Sequence, residues 1–139
     1  MSAMAALDEG RQQAEAAPDG WSRAGGRKVT GRSRDERTID TCDCLIDIAA
    51  ALFNVSGREM RMPGRTSLPV ARVRQIAMYV AHVSLGLSMK DVGRGFGRDR
   101  TTVLHACHLV EDMRDDAEFD RIVSMAERVT TAALRREAE

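Results

Sequence analysis

The chain has 139 residues, and its 21 Lys and Arg are balanced by 21 Asp and Glu. That length suits one domain of ordinary size with a tail. No apolar run is long enough to span a membrane, and Asp8 and Glu9 stand where a secretory signal would be apolar. A neutral total argues against a nucleic-acid partner, but the placement of the charges does not. Residues 61–108 hold eight basic groups against Asp91 and Asp99 alone, while residues 1–60 hold eight against ten and residues 109–139 five against nine. A basic middle between acidic flanks points to a polyanion-binding face.

Residues 1–36 carry five glycines and Pro18 without sustained periodicity, and are expected to be a mobile tail with a short helix across 3–16. Within it, Arg23–Arg34 has five basic groups and no acidic one. Such an arm either follows a DNA backbone or minor groove or is simply solvated. From residue 37 the chain reads as one helical domain. Ile39, Cys42, Leu45, Ile46, Ala49, Leu52 and Phe53 form an apolar stripe at three- and four-residue steps. Asp40, Asp43 and Asp47 share a solvated face. A loop with Gly57, Pro63 and Gly64 then presents Arg58, Arg61 and Arg65.

Ser67 is the expected cap of a second helix with Pro69 in its first turn. Val73, Ile76, Ala77 and Val80 face inward, Arg72, Arg74 and Gln75 face outward, and the helix ends near Gly86. Ser88 and Asp91 have capping-box spacing at the start of a third helix, which is expected to stop at Gly93, Gly95 and Gly97. Asp99 caps a fourth, with Val103, Ala106, Cys107, Val110 and Met113 inward. A last amphipathic helix starts around Asp115–Glu118 and runs to about Arg136 on Phe119, Ile122, Val123, Ala126, Val129 and Ala133. No strand-like alternation occurs, so the fold class is all-α.

Short helix 88–94, turn 95–98 and the helix from Asp99 have the order of a helix-turn-helix. In that motif the start of the second helix enters the major groove, so its first turn must be polar and positively biased. Here it reads Arg98-Asp99-Arg100-Thr101-Thr102, with His105 and His108 further along the outer side. Arg100 suits guanine O6 and N7, and threonine methyls suit thymine methyls. No metal site is expected. Cys107 lies on the inner stripe between His105 and His108, and Cys42 and Cys44 point to different sides of their helix. Three cysteines without C-x-x-C spacing read as reduced thiols of a cytoplasmic protein.

The stretch Ser88-Met89-Lys90-Asp91-Val92-Gly93, followed by Phe96-Gly97-Arg98-Asp99-Arg100-Thr101-Thr102-Val103-Leu104-His105-Ala106, closely resembles the signature of the C-terminal DNA-binding domain of the bacterial replication initiator DnaA. Ala71–Tyr79 looks like the preceding helix of that family, and Thr38-Ile39-Asp40 like the start of its domain. The resemblance implies a compact helical domain that binds an asymmetric double-stranded site of the DnaA-box type. It implies that Arg74, Gln75, Asp99, Arg100, Thr101, Thr102 and His105 face DNA and that Lys90 touches the backbone. Against the family's usual Phe-Gly-Gly-Arg-Asp-His-Thr-Thr, this turn is one glycine shorter, and Arg100 replaces a histidine. The family's minor-groove arginine falls in register on Thr66, leaving Arg65 or Arg61 to take its place, and Arg98 is presented by the shortened turn.

The sequence lacks a phosphate loop of the form G-x-x-x-x-G-K followed by Ser or Thr, so no nucleotide or other cofactor is expected, and no nucleophile–base pair or carboxylate dyad suggests an enzyme. The leading reading is a stand-alone, nucleoid-associated DNA-binding protein that regulates transcription or replication initiation. The alternative is a helical protein-interaction module that docks a protein partner through its acidic final helix.

Overall fold

A computed structural model of the chain describes residues 33–135, with the backbone alone at Arg135. The expected tail helix and nearly all of the basic arm lie outside the described residues. The described residues from Asp35 onward belong to one compact unit. It contains α1 (Arg34–Phe53), α2 (Gly57–Arg61), α3 (Leu68–Val83), α4 (Met89–Phe96), α5 (Arg100–Met113) and α6 (Ala117–Thr130), and the chain after α6 continues as a π-helical turn, Thr131–Arg135. The described residues are all helix, turn or loop, as expected for an all-α fold.

Side-chain oxygens set the start of five helices. Ser56 accepts from the Glu59 amide (3.1 Å), Ser67 from Val70 (3.5 Å), Ser88 from Asp91 (3.1 Å), Asp99 from Thr102 (3.0 Å) and Asp116 from Phe119 (2.8 Å). Each bond satisfies an amide that the helix itself leaves without a partner. Helix α3 is the hub. It packs most extensively on α5 and also touches α2, α4 and α6. Nine of its residues are buried, Val73, Ile76 and Tyr79 among them. Helix α1 adds Cys42, Leu45, Ile46 and Ala49 to the same core. It is joined to α2 by Arg61, which pairs with Asp43 (3.5 Å) and Asp47 (3.3 Å), and to α4 by the Arg94–Asp35 pair.

Arg114, at the end of α5, binds together the three long helices around it. Its guanidinium donates to Asp120, to Ser124 Oγ (2.9 Å), to Glu127 (3.2 Å) and to the Tyr79 hydroxyl (3.1 Å), and lies over the Tyr79 ring. Tyr79 in turn donates to Glu111 (2.7 Å). Burial and the hydrogen bond to Glu111 push the Tyr79 phenol up to about 12.

Four expectations need correction. The loop after α1 contains the short helix α2, whose five residues are too few to show periodicity. Helix α1 begins at Arg34, ahead of residue 37, where the helical domain was expected to start, with Asp35 and Glu36 favoured in its first turn. Helix α4 runs through Gly93 and Gly95 and stops at Gly97, whose φ of 68° is the left-handed conformation that glycine adopts without strain. Gly93 serves close approach instead: a Cβ there would lie 2.6 Å from the Arg98 carbonyl oxygen. In α6, Ile122 and Val129 are 37% and 38% exposed, and Thr130 is buried in their stead. The π-helical turn after Thr130 ends the regular stripe that was expected to continue to Ala133, which is exposed.

Gly93→Ala should cost about 1–3 kcal/mol in urea unfolding, because the turn backbone has to move off its seat. Gly97→Ala should cost about 1–2 kcal/mol through backbone strain alone, since the space around it is open. The raised Tyr79 phenol stabilises the fold fully below its ordinary value of about 10, and that contribution is lost as pH climbs through about 12. Alkaline unfolding followed by circular dichroism should therefore steepen between those values, and Tyr79→Phe should remove the steepening.

Candidate nucleic-acid interface

The turn between α4 and α5 occupies three residues. Gly97 reverses the chain, the Arg98 amide returns a hydrogen bond to the Gly93 carbonyl (2.9 Å), and Asp99 opens α5. The Asp99 carboxylate accepts from both the amide and the hydroxyl of Thr102, the latter at 2.9 Å. These two bonds hold its pKa below the usual carboxylate range. Asp99 is thus engaged as a helix cap.

Beyond it, the outer face of α5 is exposed at Arg100, Thr101, Thr102, Leu104, His105 and His108, while Val103, Ala106, Cys107 and Val110 are buried. The inner and outer stripes fall as the spacing predicts, save that Met113 is only partly buried. Lys90 is exposed in the first turn of α4, and Arg65 is exposed beside Gly64, whose φ of 81° turns the loop ahead of α3. Arg65, Lys90 and Arg100 make no ion pair among the described residues, so their charge is uncompensated there. Arg61, the other loop arginine considered at the sequence level, is spent on the two α1 carboxylates and on the Gly57 carbonyl (3.2 Å).

Arg74 departs from its expected outward position. It is only 7% exposed, and its guanidinium turns back onto the end of α2 and the loop that follows it. Nε donates to the Met60 carbonyl (3.0 Å), and Nη2 donates to the Glu59 carbonyl (3.2 Å) and the Thr66 hydroxyl (3.1 Å). Burial, and then the nearby charge of Arg98, push its pKa down. The reason lies in reach. An arginine on the rim of a helix can fold its long stem over apolar neighbours when carbonyls stand within range. Gln75 is half-buried and accepts from Arg72 (2.7 Å). Arg98 reaches back from the turn to the Met62 carbonyl (2.8 Å), a link between turn and loop that nothing in the sequence announced.

Among the described residues, no three His, Cys, Asp or Glu side chains are grouped as a metal site, and no helix is long and apolar enough to cross a membrane. Cys42 and Cys107 are buried thiols, and burial with neighbouring carboxylates pushes Cys42 up to about 12.

Residues 42–110 match the family described as the bacterial DnaA protein helix-turn-helix. The chromosomal replication initiator protein DnaA of Lachnoclostridium phytofermentans is 36% identical over 95 residues, which make up 67% of this chain and 21% of that protein. The match therefore spans about a fifth of its relative. A crystal structure of a DNA replication initiation factor superposes with a TM-score of 0.66 at 22% identity, over 88% of this chain and 37% of that one. A replication initiator DnaA bound to AMPPCP and single-stranded DNA gives a TM-score of 0.58 at 21% identity, over 86% of this chain and 34% of that one. At those identities the two structures establish the shared fold.

Removing the Asp99 cap should destabilise α5 from its first turn. Asp99→Ala is expected to lower the denaturant midpoint of unfolding, and Asp99→Asn to lower it much less. With its folded pKa depressed, the wild-type carboxylate stabilises above its unfolded value and loses that contribution as pH falls through the folded one. The gap between wild type and Asp99→Ala, measured from pH 6 downward, should close in the acid range.

Proposed function

Residues 42–110 are a helix-turn-helix domain of the bacterial DnaA type, and on that premise we propose that the chain binds double-stranded DNA at a DnaA-box-like site. Its role would be that of a small regulator of transcription or of replication initiation at the chromosome. The observation that carries this reading is the first turn of α5. It is exposed and polar, and the uncompensated cations Arg65, Lys90 and Arg100 lie within the same matched domain.

In this reading Arg100 reads a guanine edge with its planar fork, and the methyls of Thr101 and Thr102 pack on thymine. His105 meets the groove one turn further along α5. Gln75 and Arg98 approach the same duplex, Lys90 holds a phosphate, and Arg65 reaches the adjacent minor groove. Asp99 contributes indirectly by fixing the helix start that aims Arg100. Docking of a protein partner through the acidic last helix is the weaker reading. Asp120 and Glu127, two of that segment's carboxylates, are already engaged by Arg114 within the domain.

Fluorescence anisotropy on a DnaA-box duplex and a scrambled duplex tests the proposal. The box should be preferred, and equal weak binding to both at every salt concentration would sink it. Arg100→Ala should lose roughly 1–3 kcal/mol on the preferred site and flatten the preference at one base pair. Lys90→Ala should weaken both duplexes alike and reduce the slope of log K against log salt by about 0.9.

A further inference from the structure

Arg74, on α3, and Arg98, in the turn ahead of α5, converge on one stretch of backbone. Arg74 comes from α3 and binds the carbonyls of Glu59 and Met60 together with the Thr66 hydroxyl. Arg98 comes from the turn ahead of α5 and binds the Met62 carbonyl. Every one of these acceptors belongs to residues 59–66, the segment that carries Arg65. Among the described residues none of Arg74's hydrogen-bond acceptors is a carboxylate, so its charge is satisfied without being neutralised. A buried guanidinium in that state depends on its acceptors, because losing them would strand a charge in the interior. The dependence holds the loop in place.

We propose that Arg74 is a positioning residue that, together with Arg98, clamps the 59–66 segment so that Arg65 and the start of α5 meet DNA as one rigid reading unit. The inference rests on the DNA-binding function proposed above and assigns Arg74 a role inside the protein, in place of a contact of its own with DNA. Thr66 is the loop's own half of the clamp. Its hydroxyl accepts from Arg74, and it lies next to the residue being presented.

The fork geometry makes the role specific. Three acceptors are spread over two guanidinium nitrogens, and a lysine ammonium, which is a point charge on a flexible stem, cannot span them in the same way. Arg74→Lys therefore retains the charge and should still lose the clamp. Thr66→Val removes one acceptor while leaving the buried arginine in place, and serves if Arg74→Lys fails to fold by circular dichroism.

The test combines a measurement on the free protein with a double-mutant cycle. In the free full chain, backbone order parameters of Gly64, Arg65 and Thr66 should be near 0.85 in wild type and should fall toward about 0.6 in Arg74→Lys. Thr66→Val should lower them less. On the box duplex, Arg65→Ala and Arg74→Lys should each weaken binding by roughly three- to tenfold, and the double variant should bind like Arg65→Ala alone. Arg74→Lys should also leave discrimination at the Arg100-read base pair unchanged, which a general loss of folding would not.

Additive effects would make Arg74 an independent DNA contact and overturn the proposal. So would an Arg65→Ala variant that binds like wild type, since the loop would then present nothing. Unchanged loop order in both Arg74→Lys and Thr66→Val overturns the clamp whatever the DNA result. If wild type fails to prefer the box while the loop loosens as expected, the DNA reading is the part that falls.

Discussion

At Gly93 a methyl group would stand 2.6 Å from the carbonyl oxygen of Arg98, so the chain can double back along α4 only because residue 93 has no side chain. The turn rests directly on that helix. The Arg98 amide is bonded to the Gly93 carbonyl, the left-handed Gly97 lets the reversal happen in one residue, and Asp99 is delivered to the cap position. The outer face of α5 inherits its orientation from this seat. The Arg98 guanidinium inherits it as well, and carries it across to the Met62 carbonyl. A single backbone-to-backbone approach thus fixes both the helix start and the neighbouring loop.

Charge placement is sharpened by the pairing. The basic middle of the chain is not uniformly available to a polyanion. Arg61 is balanced by Asp43 and Asp47, and Arg94 by Asp35 and, at 3.9 Å, Asp91. Arg72 and Arg74 bind neutral oxygens and keep their charge, Arg74 from inside. The cations with no ion pair among the described residues include Arg65, Lys90 and Arg100. Exposed pairs such as those of Arg61 add little to stability. Their larger effect is to leave the charge of Arg61 balanced within the fold.

The parts of this fold that were legible in the sequence are those governed by near neighbours. Ser67, Ser88, Asp99 and Asp116 announce their helices because a cap acts over three residues, and the buried stripe of α5 is visible as periodicity. The helix-turn-helix was legible for the same reason, with the family resemblance of residues 88–107 added to it. The position of Arg74 was not. Its helical register puts it on the rim, and its burial depends on where the end of α2 and the following loop, eight to fifteen residues earlier, come to lie. Gly93 misled for a related reason. Glycine signals a helix stop locally, and only the tertiary contact with Arg98 reveals it as a packing requirement. Ile122 and Val129 are apolar at helical spacing and yet face outward, because the core against α6 is completed by Val123, Ala126 and Thr130.

The shortened turn and the arginine at position 100 belong together. One left-handed glycine separates the last residue of α4 from Arg98, whose guanidinium is bound to the Met62 carbonyl of the loop. Arg100 then stands as the first residue of α5, immediately after the cap, where the side chain leaves the helix at its positive end. An anion, or the electronegative edge of a guanine, would be met there by the helix dipole and the guanidinium together. A histidine in that place would change charge between pH 5 and 8, whereas arginine remains a cation throughout. An arginine at the start of α5 is thus a permanent cation where a histidine would be a titratable one.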